Sequence, residues 1–287
     1  MNMMTSPLFS RVRNSIMRKH SRKRYLTVNE IGRCNPKIKR NSSKTCLPTK
    51  IYSRLAKTKK CKRGEDHCLL DSANNISTEK KAELRNTYLR PRRPSSWDSD
   101  PDDWLDNFNI QDVMTQYQTA YPWFKFLGVF PIDFSVRNPY RKDKNVCLNP
   151  EICTIDIHKE YDRGIRAFGA IFNLDPHYKS GSHWVGLYCD LHELKDPKGT
   201  PWCAYFDSYG YDTPPYIARF MRYLYSQDNR LKLMYNARRF QYSTSECGVY
   251  SMYFIVCMLE GIQFSKFCKK AIPDSMMLRL RHQFFSK

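Results

Sequence analysis

Gln241-Tyr242-Ser243-Thr244-Ser245-Glu246-Cys247-Gly248 leads directly into Val249–Leu259, an almost wholly apolar run that stops at Gly261. A helix that is apolar all round belongs inside a core, so this run predicts a central helix surrounded by sheet and other helices. Cys247 falls where the loop meets that helix. Free N–H groups and aligned peptide dipoles at a helix start favour a thiolate. Most free cysteines are small buried hydrophobes. The Cys-Gly step, the helix start and the upstream Gln241 set Cys247 apart as a candidate nucleophile. Cys189, Cys203 and Cys257 lie in apolar runs and read as core.

A thiol nucleophile needs a base, an orienting group and a donor for the oxyanion. Three segments upstream read as strands: residues 167–173, 184–191 and 202–206. His183 stands at the mouth of the second, and Asp207 ends the third. Neighbouring strands lie about 4.8 Å apart, so a carboxylate at one strand end reaches a histidine at the next. Gln241 precedes Cys247 by six positions. Its side-chain amide and the Cys247 backbone N–H are the expected oxyanion donors, with Ser243, Thr244 and Ser245 as alternatives. His158, His177 and His192 are rival bases, and Asp190 and Asp212 are fallback acids. Trp184, beside the histidine, is either a wall of the substrate cleft or a packing residue under the sheet.

The chain carries a net charge of +20, and residues 1–100 hold 25 Lys and Arg against 8 Asp and Glu. Clusters at 18–24 and 57–63 repel themselves and disfavour compaction. Residues 1–97 are therefore expected to form a basic N-terminal arm, partly disordered or helical. The arm is a possible contact for nucleic acid. A helix is expected from Ser77 to Leu89, with Ser77 as its cap. The charge changes sign at residues 98–106, and 98–287 are expected to form the second unit. Within it, Asn109 is the expected cap of a helix with Ile110, Val113, Met114 and Tyr117 on one face. Pro214-Pro215 opens another, with Ile217, Phe220, Met221 and Leu224 inward.

Eleven cysteines, an odd number with no Cys-x-x-Cys pair, suggest reduced thiols rather than a disulfide framework. Cys34, Cys46, Cys61, His67 and Cys68 match no common zinc-finger spacing. There is no phosphate-binding glycine loop, no signal-peptide pattern and no run long enough to span a membrane. No cofactor is implied.

His183-Trp184, Asp207-Ser208, Gln241 and Cys247-Gly248 resemble the catalytic motifs of the ubiquitin-like-protein-specific (SUMO) proteases and the adenovirus protease. The chain order His, Asp, Gln, Cys separates this group from papain, where the cysteine comes first. Residues 105–110, Gly181-Ser182-His183-Trp184-Val185, Tyr205-Phe206, Pro214-Pro215 and Thr244–Gly248 extend the resemblance to SUMO-protease-like peptidases of large DNA viruses. It implies an α+β cysteine-proteinase core, with a central sheet flanked by helices and a narrow cleft that admits glycine. It also implies a viral endopeptidase that cuts structural polyproteins after Gly-Gly sites, in the host cytoplasm at the assembly site and in the virion. Deconjugation of ubiquitin-like proteins is the alternative. A non-catalytic nucleic-acid-binding virion protein on the same fold is a second.

Overall fold

All thirteen residues from Cys247 to Leu259 are buried, and they form one helix. Burial of each large apolar side chain stabilises by roughly 1.5–3 kcal/mol, enough to outweigh the modest helix propensities of its Val, Ile, Tyr and Phe. In this computed structural model, residues 23–38, 45–56, 61–141 and 146–287 are described. Most of the basic clusters at 18–24 and 57–63 lies outside them. The described helices are α1 Val28–Ile31, α2 Thr49–Leu55, α3 Asp66–Asp71, α4 Thr78–Tyr88, α5 Asn107–Ala120, α6 Pro150–Cys153, α7 Ile157–Asp162, α8 Pro215–Gln227, α9 Cys247–Leu259, α10 Phe264–Phe267 and α11 Asp274–Phe284.

The sheet is β1 Phe124–Pro131, β2 Ala167–Asn173, β3 Trp184–Asp190, β4 Trp202–Phe206 and β5 Lys232–Tyr235, in spatial order β1-β2-β3-β4-β5. The outer pairs are parallel and the two inner pairs antiparallel. Strand alternation divides the core in two. Ala167, Ile171, Trp184, Tyr188, Ala204 and Phe206 face α9. Phe168, Phe172, Val185, Leu187, Cys203 and Tyr205 face the other layer, with Ile217, Phe220 and Leu224 of α8. Two-sided burial explains the continuous apolar runs in β2 and β3. The expected α+β core, a mixed sheet flanked by helices, is the one observed.

Local chemistry moves some boundaries. Asp106, not Asn109, caps α5: its carboxylate accepts the Asn109 N–H at 2.7 Å, and the Asn109 side chain returns a bond to the Asp106 N–H. Ser77 caps α4 as expected. β1 and β5 carry no continuous apolar run and were not foreseen. β1 alternates buried and half-buried positions, and β5 is a short, mostly exposed edge.

The described residues before 98 contain their own small core, built on Leu47, Leu55, Leu69, Leu70, Leu84 and Leu89. It is joined to the sheet domain through buried groups. Arg90 donates to the carbonyls of Ile31 and Gly32 and to the Tyr117 hydroxyl. Leu26 accepts from Tyr253 of α9, and Trp97 packs edge-on against Phe285. The expectation of wholly reduced thiols is corrected here. Cys34–Cys46, Cys61–Cys68 and Cys147–Cys153 are disulfides, leaving five free cysteines. Each pair is 6 to 12 residues apart, and local turns bring the Cα atoms to 5.4–6.8 Å, the range a disulfide spans. Neither an odd count nor a missing Cys-x-x-Cys forbids such local pairs.

One buried ion pair fixes the start of α9. Arg281 of α11 donates from Nε to Glu246 at 2.9 Å, with the two side chains 1% and 0% exposed. Arg281 also donates to the carbonyls of Pro101 and Asp103, and its guanidinium lies over Trp97. Removing one partner of such a pair strands the other charge. Arg281→Ala is expected to cost about 3–5 kcal/mol in urea unfolding, whereas a loss below about 1 kcal/mol would show that the pair anchors nothing.

Candidate active site

Cys247, His183, Asp207 and Gln241 meet at one end of the sheet. The antiparallel β3 and β4 place the start of one strand beside the end of the other, with Gly186 opposite Phe206. His183 therefore lies next to the segment that follows β4. Its Nε2 is 2.7 Å from Asp207 Oδ1. The imidazole also interacts electrostatically with the Cys247 thiol, which contributes to its protonation behaviour. Cys247 is the first residue of α9, so its N–H has no partner within the helix.

Burial alone would lower the pKa of His183. Its hydrogen bond to Asp207 and its interaction with Cys247 outweigh that and raise it to about 9. Asp207 is fully buried and firmly held. Its backbone N–H donates to Asn236 Oδ1 at 2.8 Å, and Asn236 Nδ2 returns a bond to its carbonyl at 2.7 Å. Its Oδ1 also accepts the Tyr209 N–H at 2.8 Å.

Gln241 is buried as well. Its Oε1 accepts from Ser208 Oγ at 2.6 Å, which fixes the amide orientation, and Nε2 donates to the Ser243 carbonyl at 2.8 Å. An amide nitrogen carries two hydrogens, so one N–H remains beyond that bond. Ser208 also accepts the backbone N–H groups of Phe240 and Gln241 through its carbonyl, tying the end of β4 to the Gln241 loop. Trp184 is largely buried, and its Nε1 donates to the Leu105 carbonyl at 2.9 Å. A Cβ on Gly248 would stand 3.3 Å from both the Trp184 ring and Leu105, so glycine lets the helix start approach the indole.

Three supporting residues were not foreseen. The sequence alone assigns no role to Asn236, Ser208 or Tyr209. The polar pair Asp207-Ser208 at the end of a buried strand was the one sequence signal for Ser208. The rival histidines are engaged elsewhere: His177 with Asp133, His192 with Asp190, and His158 with the Gln227 carbonyl. Among the described residues, no group of three or more His, Cys, Asp or Glu is arranged to hold a metal, and no helix is long and apolar enough to cross a membrane. A cavity of about 510 Å³ opens at the other end of β3 and β4, beside Trp123, Asp190 and Trp202, and does not include the thiol.

Residues 170–287 match the Ulp1 protease family, C-terminal catalytic domain. The chain is 29% identical over 229 residues to a protein named as a thiol protease in Acanthamoeba polyphaga mimivirus, covering 77% of this chain and 68% of that one. It is 27% identical over 193 residues to a protein named SUMO-1 cysteine protease in African swine fever virus, covering 63% and 67%. The crystal structure of the African swine fever virus protease superimposes with a TM-score of 0.69 at 21% identity, over 90% of this chain and 96% of that one.

With a raised His183 pKa, an activity that needs the imidazolium persists on the basic side and falls as pH rises through about 9. Asp207→Asn removes the largest single cause that raises it. The expected result is a basic limb shifted to lower pH and a kcat/KM down by roughly two to four orders of magnitude. An unchanged limb in a pH–rate profile would remove Asp207 from the site.

Proposed function

We propose, from the premise that this chain is a cysteine peptidase with a Ulp1-like catalytic domain, that Cys247, His183 and Asp207 form its catalytic triad. The observation that carries this is the buried 2.7 Å His183–Asp207 bond, with the same imidazole in electrostatic reach of the Cys247 thiol at a helix start. Cys247 attacks the scissile carbonyl as a thiolate. His183 holds the proton taken from the thiol and passes it to the leaving amine. Asp207 fixes the tautomer and supports the imidazolium. The tetrahedral oxyanion is met by the Cys247 backbone N–H and the second N–H of Gln241 Nε2, each such donor contributing about 3 kcal/mol. Water then releases the acyl group from the thioester.

The substrates we assign are viral structural polyprotein precursors cut after Gly-Gly, in the host cytoplasm at the assembly site and in the virion. Support comes from the motif resemblance and from the two viral relatives. Trp184, lying against the Cys247-Gly248 step, is our candidate for the wall of a glycine-sized cleft. Deconjugation of a ubiquitin-like protein is the second reading, favoured by the name of the African swine fever virus relative. The excess of positive charge in residues 1–100 supports a separate contact with packaged nucleic acid.

Two substrate panels test the assignment: fluorogenic Gly-Gly peptides and ubiquitin-like C-terminal probes, each with wild type and Cys247→Ala. Wild type is expected to cut the Gly-Gly peptides, and the variant to be folded and inactive. A Cys247→Ala protein that still cuts would remove the nucleophile assignment. Preference for the probes would favour deconjugation. Salt-sensitive DNA binding with no cleavage on either panel would favour a non-catalytic role.

Deletion of residues 1–22 spares every described contact and is expected to weaken DNA binding while leaving peptide cleavage intact. Unchanged binding in a salt titration would end the nucleic-acid assignment for that segment.

A further inference from the structure

We propose that Tyr209 is a positioning residue for the reaction, one side chain that holds the base, the acid and the oxyanion donor in register. The inference rests on the triad assigned above. Its ring stacks on the His183 imidazole, with centroids 4.6 Å apart and planes inclined by 26°. Its backbone N–H donates to Asp207 Oδ1, the same oxygen that holds His183 Nε2. Its hydroxyl donates to the Ser243 carbonyl at 3.3 Å, and that carbonyl also receives Gln241 Nε2.

A fourth contact extends this set. The Arg239 guanidinium lies 5.3 Å from the Tyr209 ring centroid and 4.9 Å from that of Tyr242. Its Nε donates to the Gln241 carbonyl at 2.8 Å. Arg239 therefore presses on the ring that covers His183 and holds the backbone of the residue that faces the oxyanion. His183, Tyr209, Arg239 and Tyr242 form a stacked series along the mouth of the site.

The series has a chemical consequence. When His183 takes the thiol proton it becomes an imidazolium, and an aromatic face attracts a cation. Tyr209 therefore favours the thiolate–imidazolium pair over the neutral pair. The groups facing His183 are Asp207 at the end of β4, Cys247 at the start of α9 and Tyr209 itself, with Arg239 against the same tyrosine ring. Asp207 and the thiolate favour the imidazolium. Arg239 opposes it, but it is exposed and screened by water. Stabilising the pair lowers the pH at which the thiolate forms and raises the pH at which the imidazolium is lost. A residue that merely filled space would move neither.

The test compares Tyr209→Phe and Tyr209→Leu. Phe keeps the ring and loses the hydroxyl; Leu keeps an apolar cover over His183 and loses the aromatic face. The readouts are kcat and KM on a Gly-Gly peptide and the pH dependence of iodoacetamide alkylation, read at Cys247 by mass spectrometry. For Leu, the acidic limb is expected to rise and the basic limb to fall, each by about half a unit to one unit. Its kcat should drop about three- to tenfold with KM little changed. For Phe, the limbs should stay at wild-type positions. Tyr209→Met replaces Leu if the latter does not fold. Wild-type limbs and kcat in a folded non-aromatic variant would overturn the proposal. Cys247→Ala, run in parallel, separates the two failures. An active Cys247→Ala protein breaks the triad assignment, whereas an inactive one beside a normal Tyr209→Leu protein breaks only this inference.

Discussion

The burial of helix Cys247–Leu259 on every side is the constraint from which the rest follows. A helix without a polar face can sit only where sheet and helices surround it, and its first residue is carried to a fixed depth. That depth sets the thiol's environment. Cys247 is nearly closed off from solvent, yet it lies at the one end of the helix where N–H groups remain without intrahelical partners. The same helix brings Gly248 against Trp184 and Leu105, where a larger residue would crowd the indole.

Burial at the site creates polar demands, and neighbouring side chains meet many of them, while Asp207 Oδ2, Glu246 Oε2 and Arg281 Nη2 stay buried without a hydrogen-bond partner. Asp207 is clamped by Asn236 and Tyr209, Gln241 by Ser208 and Ser243, and Glu246 by Arg281. The clamps come from the residues after β4, the residue after β5, the loop before α9 and α11. The end of β4, the loop before α9, and α11 are thereby held to one another around Cys247. A preorganised set of this kind costs little reorganisation when charge develops during reaction. The Glu246–Arg281 pair also reaches the acidic segment after Trp97 through the Pro101 and Asp103 carbonyls, so the change of charge sign at residues 98–106 falls on a packed corner of the molecule.

Much of this was legible in the sequence, for identifiable reasons. β2, β3 and β4 are buried on both faces and read as continuous apolar runs, and strand-end residues such as His183 and Asp207 are then neighbours by register. Helix α9 announces itself by composition. What stayed hidden depends on tertiary contacts. β1 hides its pattern in mixed aromatic and lysine positions, and β5 is too short and exposed to carry one. Asn236 and Ser208 act through backbone groups far away in sequence. The disulfides join cysteines whose spacing follows no motif. The small leucine core before residue 98 is drowned, in sequence, by the surrounding Lys and Arg.

The central claim is that Cys247 is made nucleophilic by His183. Labelling with a peptide electrophile ending in Gly-Gly, located by mass spectrometry in wild type and in His183→Ala, tests it most directly. The account predicts one adduct, at Cys247, and its near disappearance in the His183 variant. An adduct at another free cysteine, or undiminished labelling of Cys247 without His183, would contradict it.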